Sequence, residues 1–128
     1  MSTPPDPCIF CSKPHERVVA ENDFAYVVRD GYPVTELHTL IIPKRHAVDY
    51  FDLTEEEVMA IHALLHVEKE ALLAADPSIQ GFNIGANCGQ TAGQTVFHCH
   101  IHLIPRREGD VAEPRGGVRH LIPGKGSY

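Results

Sequence analysis

The 128-residue sequence lacks several features that would place it in other classes of protein. No segment approaches the roughly 18 consecutive apolar residues of a transmembrane helix, so no membrane span is predicted. The start of the chain, Met1 to Pro7, has no basic region followed by an apolar stretch, as a secretory leader would. We therefore expect a cytoplasmic protein. No internal repeat is evident, which argues against a solenoid.

Positive charge is also scarce, with 11 Lys and Arg against 17 Asp and Glu and a formal net charge of -6. A chain of this sign repels nucleic acid and anionic membranes, so neither is expected as a partner. An anionic substrate would have to be held by a local cluster instead. The length and the 43% hydrophobic content predict a single globular domain with its own core.

Cysteine occurs four times, and in a reducing compartment such residues are thiols, metal ligands or redox groups more often than disulfides. Cys8 and Cys11 form a C-x-x-C pair. Taken alone, this spacing fits a zinc knuckle, a redox pair or two small buried residues about equally well.

The predicted elements are three strands, one long helix and two further strands. The first two strands, over residues 17–21 and 24–29, flank the turn-forming pair Asn22-Asp23, and the third covers 38–43. Thr54 and Glu57 form a capping box at the start of the helix, which Asp76-Pro77 ends. Strands are also predicted over 80–85 and 94–104. This order of elements predicts an α+β fold, in which the helix packs on one face of an antiparallel five-stranded sheet.

Composition divides the chain into three parts. Residues 1–7 are rich in proline and are expected to form a loose arm, and residues 8–107 carry the predicted elements. Residues 108–128, called the tail below, are rich in Gly, Pro and Arg. We expect the tail to form no long regular element, and to be either a flexible end or a segment draped over the body near an anionic ligand.

Three histidines alternate within the predicted strand 94–104, so His98, His100 and His102 are expected on one face. Imidazole is the proton carrier of neutral pH and the commonest metal ligand. The preceding loop, residues 87–93, offers small residues and backbone N–H groups that suit a phosphate, although an ordinary hairpin loop fits it equally well. The three imidazoles could instead hold a catalytic metal together.

The run His98-Cys99-His100-Ile101-His102-Leu103-Ile104 resembles the histidine triad (HIT) motif, and residues 93–97 resemble the segment that leads into it. Residues 38–46 are similar to the other signature strand of that family. The resemblance extends from about Cys8 to Arg107, and the Cys pair places the chain in a zinc-binding, bacterial-type branch. It implies a HIT-like fold, a nucleotide substrate and a two-fold homodimer.

The resemblance also implies a hydrolase of nucleoside phosphoramidates or dinucleoside polyphosphates that forms a covalent nucleotidyl-histidine. His100 would be the nucleophile, supported by His102 and His38. The implied nucleotide-binding residues are Asp30 at the ribose, and Asn87, Gly93, Gln94 and Thr95 around the α-phosphate and leaving group. The alternatives are a transferase or phosphorylase of the same fold and a nucleotide-binding interaction module with vestigial activity. His102, where the uridylyltransferase branch has Gln, favours hydrolysis.

The same branch holds a structural zinc, which changes the interpretation of the Cys pair. The implied ligands are Cys8, Cys11, His46 and His98, a closed set that leaves no position for water. No catalytic cofactor is expected. Gly31 stands where many members have a branched apolar residue against the base, so base recognition is expected to be loose. The tail lies outside the shared motifs, and we expect Arg115 or Arg119 to approach the distal phosphates of a substrate.

Overall fold

The computed structural model describes residues 8–12 and 14–128, so the predicted arm at 1–7 lies outside the described residues. The main elements are β1 (Val18–Glu21), β2 (Ala25–Arg29), β3 (Thr39–Pro43), α1 (Glu55–Ala75), β4 (Ile79–Gly85) and β5 (Ile101–Arg107). The strands form one antiparallel sheet in the order β1-β2-β3-β5-β4. The predicted α+β fold with five strands and one long helix is confirmed.

The hairpin of β1 and β2 turns where the Asn-Asp pair predicted it. The Asn22 side-chain carbonyl accepts hydrogen bonds from the backbone N–H groups of Phe24 and Ala25, at 3.1 and 3.0 Å. Its amide nitrogen donates to the carbonyl of Ala60 on α1 at 2.9 Å. One side chain therefore closes the turn and joins it to the helix.

The central strand β3 is buried along its whole length, as its apolar composition predicted. Alternate residues of the sheet face two different apolar layers. The layer beneath α1 includes Ala25, Val27, Ile41, Ile61, Leu64, Cys99 and Ile101. The layer on the opposite face consists of Cys8, Phe10, Tyr26, Val28, Leu40 and Ile42. The segment around Cys8 therefore covers the sheet face that α1 leaves free.

The start of α1 has the predicted capping box. The Thr54 hydroxyl accepts from the Glu57 backbone N–H at 3.1 Å, and the Glu57 carboxylate accepts from the Thr54 N–H at 2.9 Å. The guanidinium of Arg45 donates twice to the same carboxylate, at 3.0 and 2.9 Å. Burial alone would raise the pKa of Glu57, but the hydrogen bonds from Arg45 and Thr54 outweigh it and hold the pKa below its usual range.

We expect Glu57→Ala to lower the free energy of unfolding by about 2–3 kcal/mol, because it removes the carboxylate half of the capping box and leaves Arg45 without its carboxylate partner. Urea unfolding at pH 7 measures the change. The control is Glu56→Ala, an exposed glutamate in the same first turn, which should change stability by less than about 0.5 kcal/mol. Equal losses in the two variants would contradict this account of the helix start.

The predicted strand over residues 94–104 is wrong in its first part, since β5 begins at Ile101. Ile41 pairs with Ile101, so continuing the register would place Cys99 opposite Pro43. Proline has no N–H for that ladder, and the Cys99 N–H donates instead to the carbonyl of Ala47 at 2.6 Å. His98 and His100 therefore precede the strand, and the three imidazoles do not share one strand face.

The tail folds back over β4 and β5 on the face opposite α1. A salt bridge between Arg106 and Asp110 fixes its start. Gly117 has a left-handed φ of 46°, and a Cβ there would lie 3.3 Å from the Asn83 side-chain amide. As predicted, the tail has no long element, only a 3-10 turn over Gly117–Leu121. In the described part of the chain, no helix combines the length and apolar character needed to cross a membrane.

Candidate active site and metal cluster

His38, immediately before β3, and His102, on β5, form a hydrogen-bonded pair, called the histidine pair below. Nε2 of His38 lies 2.9 Å from Nδ1 of His102. The backbone N–H of Val34 donates to Nδ1 of His38 at 3.1 Å. Because a backbone amide can only donate, His38 carries its proton on Nε2 and gives the hydrogen bond to His102. His102 then holds its own proton on Nε2, on the side away from His38.

Both members of the histidine pair are neutral at pH 7. Burial, opposed by the charge of Asp30, lowers the pKa of His38. Burial first, and then the neighbouring His100 and His38, lowers the pKa of His102 to about 4. The pair therefore presents a neutral N–H donor and no fixed positive charge.

His100 has the opposite tautomer. Its Nδ1 lies 2.8 Å from the backbone carbonyl of His98, which can only accept, so the proton is on Nδ1. Nε2 of His100 is left with its lone pair, which is the form that attacks an electrophile. The ring is half-buried between Phe10 and His102, at centroid distances of 5.1 and 5.2 Å.

Asp30 directly follows β2 and lies beside the histidine pair. One carboxylate oxygen accepts from the Tyr32 backbone N–H at 2.8 Å, and the other lies 3.5 Å from Nε2 of His38. The backbone N–H of Asp30 donates to the carbonyl of His38 at 2.8 Å. Asp30, the residue predicted to bind ribose, thus lies next to the imidazoles. Two hydrogen bonds to the backbone, at Tyr32 and at His38, fix its position.

Asp30, His38 and His102 bring one ligand atom each within 4.8 Å of one another, a separation that a metal ion could bridge. The tautomer of His38 argues against a metal ion at this position. Nε2 of His38 already carries a hydrogen, which it donates to His102, so this nitrogen has no lone pair for a metal. The alternative in which His98, His100 and His102 hold a catalytic metal also loses support. Nδ1 of His98 faces two cysteines, and Nδ1 of His100 faces a carbonyl.

The loop before the triad is braced from inside by Gln94. This buried side chain donates to the carbonyls of Val48 and Val96, at 2.7 and 3.1 Å, and accepts from the N–H of Gly89 at 2.8 Å. Its predicted contribution to nucleotide binding is therefore indirect, through the shape of the loop. Gly93 has a φ of 96°, which favours glycine, while Asn87 and Thr95 have exposed side chains.

The predicted zinc ligands Cys8, Cys11, His46 and His98 do meet, and we call them the metal cluster. Their four ligand atoms lie within 4.8 Å of one another. The sulfur to Nδ1 distances are 3.6, 3.6, 3.0 and 3.4 Å. A tetrahedral zinc with S and N ligands needs about 3.6 Å between them, and three of the four distances lie within about 0.2 Å of this value, so the donor set suits this ion.

Surrounding hydrogen bonds orient the metal cluster, as is usual for ligands of a structural metal. Nε2 of His98 donates to the carbonyl of Pro43 at 2.8 Å, which leaves Nδ1 as the ligand atom. The backbone N–H of Cys11 donates to the sulfur of Cys8 at 3.3 Å, and the Tyr26 hydroxyl donates to the carbonyl of Phe10 at 2.6 Å. The segment that carries Cys8 and Cys11 is thus attached to β2 through Tyr26, in addition to its contacts with the two histidines.

The depressed pKa of His102 predicts a pH-dependent stability. The folded-state pKa of about 4 lies below the value of 6.5 for an unperturbed histidine. The contribution of His102 to the free energy of unfolding is therefore complete above pH 6.5 and is lost as the pH falls towards 4. Between pH 7 and 5 we expect a loss of about 2 kcal/mol from this residue in denaturant unfolding. His102→Gln should reduce the pH dependence by that amount, and identical curves for both proteins would contradict the assignment.

Fold and site together define a small α+β protein with an imidazole whose Nε2 lone pair is free, a neutral imidazole pair and a Cys2His2 cluster. Residues 12–109 match the HIT domain. The chain belongs to the HIT family.

Solved structures agree with this assignment. The chain is similar to a HIT family protein from Bacillus anthracis, with 39% identity and a TM-score of 0.76 over 84% of this chain and 78% of that one. It is also similar to a zinc-bound histidine triad family protein from Mycobacterium smegmatis, with 35% identity and a TM-score of 0.74 over 84% and 80%. A curated relative, an adenylylsulfatase from Arabidopsis thaliana, is 34% identical over 85% of this chain and 57% of its own length.

Proposed function

We propose that the protein is a nucleotide hydrolase that acts on nucleoside phosphoramidates or dinucleoside polyphosphates through a covalent nucleotidyl-His100. The observation that carries this proposal is the tautomer of His100, whose Nε2 lone pair is free beside a neutral N–H donor. The named activity of the Arabidopsis relative, an adenylylsulfatase, supports the reaction class.

The first step forms a bond between Nε2 of His100 and the α-phosphorus. The bond from phosphorus to the leaving atom breaks, and its electron pair stays with that atom. The Nε2–H of His102 donates a hydrogen bond to the leaving atom, which takes its proton from water, so His102 stays neutral. In the second step the hydroxide left by that water attacks phosphorus, and the bond to His100 breaks. The hydrogen bond from His38 holds His102 in the required tautomer throughout.

The other site residues position the substrate. Asp30 is proposed to accept from the ribose hydroxyls, because its carboxylate lies beside the histidine pair. Gly93 and Thr95, with Asn87 across the loop, are proposed to contact the phosphate from the braced loop. Nε2 of His102 also stabilises negative charge that develops on the phosphate oxygens.

The metal cluster is proposed to hold a structural zinc. When bound, the ion would join the segment around Cys8 to the loop after β3 and to His98, two residues before the proposed nucleophile His100. All four ligands come from the protein, so the cluster is closed and takes no part in the reaction. A two-fold homodimer and a cytoplasmic location remain predictions from the family and the composition.

Mass spectrometry of the His100 peptide tests the proposal. The protein is incubated with adenosine phosphoramidate and with diadenosine triphosphate, quenched at high pH because phosphohistidine is labile in acid, and digested. A nucleotidyl adduct on His100 is the expected result, and its absence for every substrate that turns over would overturn the mechanism. Turnover in 18O-labelled water separates hydrolysis from the phosphorylase alternative, since only hydrolysis places the label in the monophosphate.

A further inference from the structure

An arginine at the edge of the sheet continues the row of residues that forms the candidate site. His102 lies on β5, His38 comes immediately before β3, and Asp30 directly follows β2. Arg17 comes immediately before β1, the next strand in the order. The registers of these strand pairs bring the four positions to one end of the sheet. Because neighbouring strands are about 4.8 Å apart, the row crosses the sheet in steps of that size.

The nucleotide of the proposed function follows this row. Its α-phosphorus lies at His100 and His102, and its ribose lies at Asp30. The base and the 5′-phosphate are attached to carbons on either side of the ribose ring oxygen, so the base extends away from the phosphate. From Asp30, that direction leads to β1 and to Arg17. The base is therefore expected beside Arg17.

The guanidinium of Arg17 borders the residues on both sides of Asp30. Its Nη2 donates to the backbone carbonyl of Arg29 at 3.0 Å. The same nitrogen lies 3.6 Å from the position that a Cβ on Gly31 would take. Apart from Gly31 and its two chain neighbours, no other atom of the described residues lies within 4 Å of that position. Glycine thus leaves room for the guanidinium, and a side chain branched at Cβ would displace it.

The charge and most of the donors of Arg17 remain available to a ligand. The side chain is exposed, and among the residues that the structure describes it forms no ion pair with a carboxylate. By contrast, Arg29, Arg45 and Arg106 are each paired with a Glu or Asp. A guanidinium carries N–H donors on all of its nitrogens, and the bond to the Arg29 carbonyl occupies one of them.

A guanidinium distinguishes between bases by their hydrogen-bonding edges. It presents donors only, and these lie in one plane. Guanine has two acceptors side by side, O6 and N7, and an arginine can bond to both at once. Adenine has N7 beside an amino group, which is itself a donor and cannot accept from a guanidinium. A guanidinium at the base therefore favours a purine with a carbonyl at carbon 6.

We propose that Arg17 is a specificity-determining residue that donates to O6 and N7 of a 6-oxopurine base, so that guanosine nucleotides are the preferred substrates. This inference rests on the proposed function, and it narrows the substrate from nucleotides in general to those with guanine-type bases. Arg17 takes no part in the covalent steps. Gly31, from which loose recognition of the base was expected, instead makes room for the side chain that recognises it.

The test compares kcat/KM for guanosine and adenosine 5′-phosphoramidate. The wild-type protein should prefer the guanosine substrate about tenfold, the lower part of the range for a two-bond contact to guanine, because Arg17 is exposed. Arg17→Ala should abolish the preference by lowering the constant for guanosine alone. Gly31→Val should do the same by displacing the guanidinium. The control is Lys69→Ala, which removes an exposed positive charge from α1 and should keep the wild-type ratio.

Two further substrates test the atoms of the contact. Inosine 5′-phosphoramidate keeps O6 and N7, so its kcat/KM should match that of the guanosine substrate. The 7-deazaguanosine analogue lacks N7, so its constant should fall between those for guanosine and adenosine. A 7-deazaguanosine substrate equal to guanosine would overturn the two-bond contact. An equal loss for guanosine and adenosine in Arg17→Ala would also overturn it, since stacking on any base or a purely structural bond to Arg29 has that effect.

Calorimetric binding of GMP and AMP separates this inference from the proposed function. GMP should bind more tightly than AMP to the wild-type protein, and the difference should disappear in Arg17→Ala. Equal affinities, or no binding of either nucleotide, overturn the role of Arg17. Failure of the proposed function has a different signature, because neither phosphoramidate would then give product or a His100 adduct, whereas failure of the inference alone leaves turnover and adduct with equal constants for the two bases.

Discussion

His100→Ala should lower kcat/KM for any substrate of the protein by about four orders of magnitude or more, the usual cost of removing a covalent nucleophile. In the proposed mechanism the free Nε2 lone pair of His100 attacks phosphorus, and neither member of the histidine pair can replace it. His38 and His102 share a proton between Nε2 and Nδ1, and His102 presents an N–H. Steady-state kinetics with a nucleoside phosphoramidate measures the loss, and the adduct should disappear with it.

The matched control is His62→Ala, which removes an exposed imidazole from α1. Its kinetics should equal those of the wild-type protein. Retention of more than about one per cent of the activity by His100→Ala would exclude covalent catalysis at this residue. If nucleotide binding and the cellular role both survive in His100→Ala, the interaction-module alternative is favoured instead.

Loss of the metal cluster should have the largest effect on stability. Cys11→Ser removes one of two thiolate ligands, and we expect the free energy of unfolding to fall by about 4 kcal/mol or more. The zinc content of the purified protein should fall with it, from one ion per chain. Thermal unfolding and elemental analysis measure the two changes on the same sample.

Cys88→Ser is the control, because Cys88 is a half-buried thiol outside the metal cluster. It should keep its zinc and lose less than about 1 kcal/mol. Below the unfolding temperature, a chelated protein should keep its chemical rate within about fivefold, since no step passes through the cluster. A purified, active wild-type protein that contains no zinc would contradict the assignment.

Local sequence signals predicted most of the fold. The capping box at Thr54 and Glu57 and the Asn22 turn depend on residues within a few positions of one another, so the sequence shows them directly. The start of β5 was mispredicted because its cause is distant in the chain. Pro43, on another strand, ends the ladder, and the alternation of the histidines gives no sign of this.

The sequence predicted which residues form the candidate site, but not which ring nitrogen of each histidine carries the proton. The sequence motifs bring together His38, His100 and His102, yet the tautomer of each ring depends on a single backbone group. The N–H of Val34 decides the tautomer of His38, and the carbonyl of His98 decides that of His100. The conformation of the loops places both backbone groups, so their positions cannot be predicted from the residue types. The bracing role of Gln94 was missed for the same reason, since its partners are backbone atoms.

His98 belongs to both sites through different parts of the same residue. Its imidazole lies in the metal cluster, and its backbone carbonyl accepts a hydrogen bond from Nδ1 of His100. The two sites therefore differ in which substitutions they tolerate at this position. Another ligand side chain can replace the imidazole while the carbonyl stays in place, but an insertion or deletion next to residue 98 would move both sites at once. At position 98, the side chain that serves the metal site can therefore be exchanged, whereas both sites depend on the number of residues between it and His100.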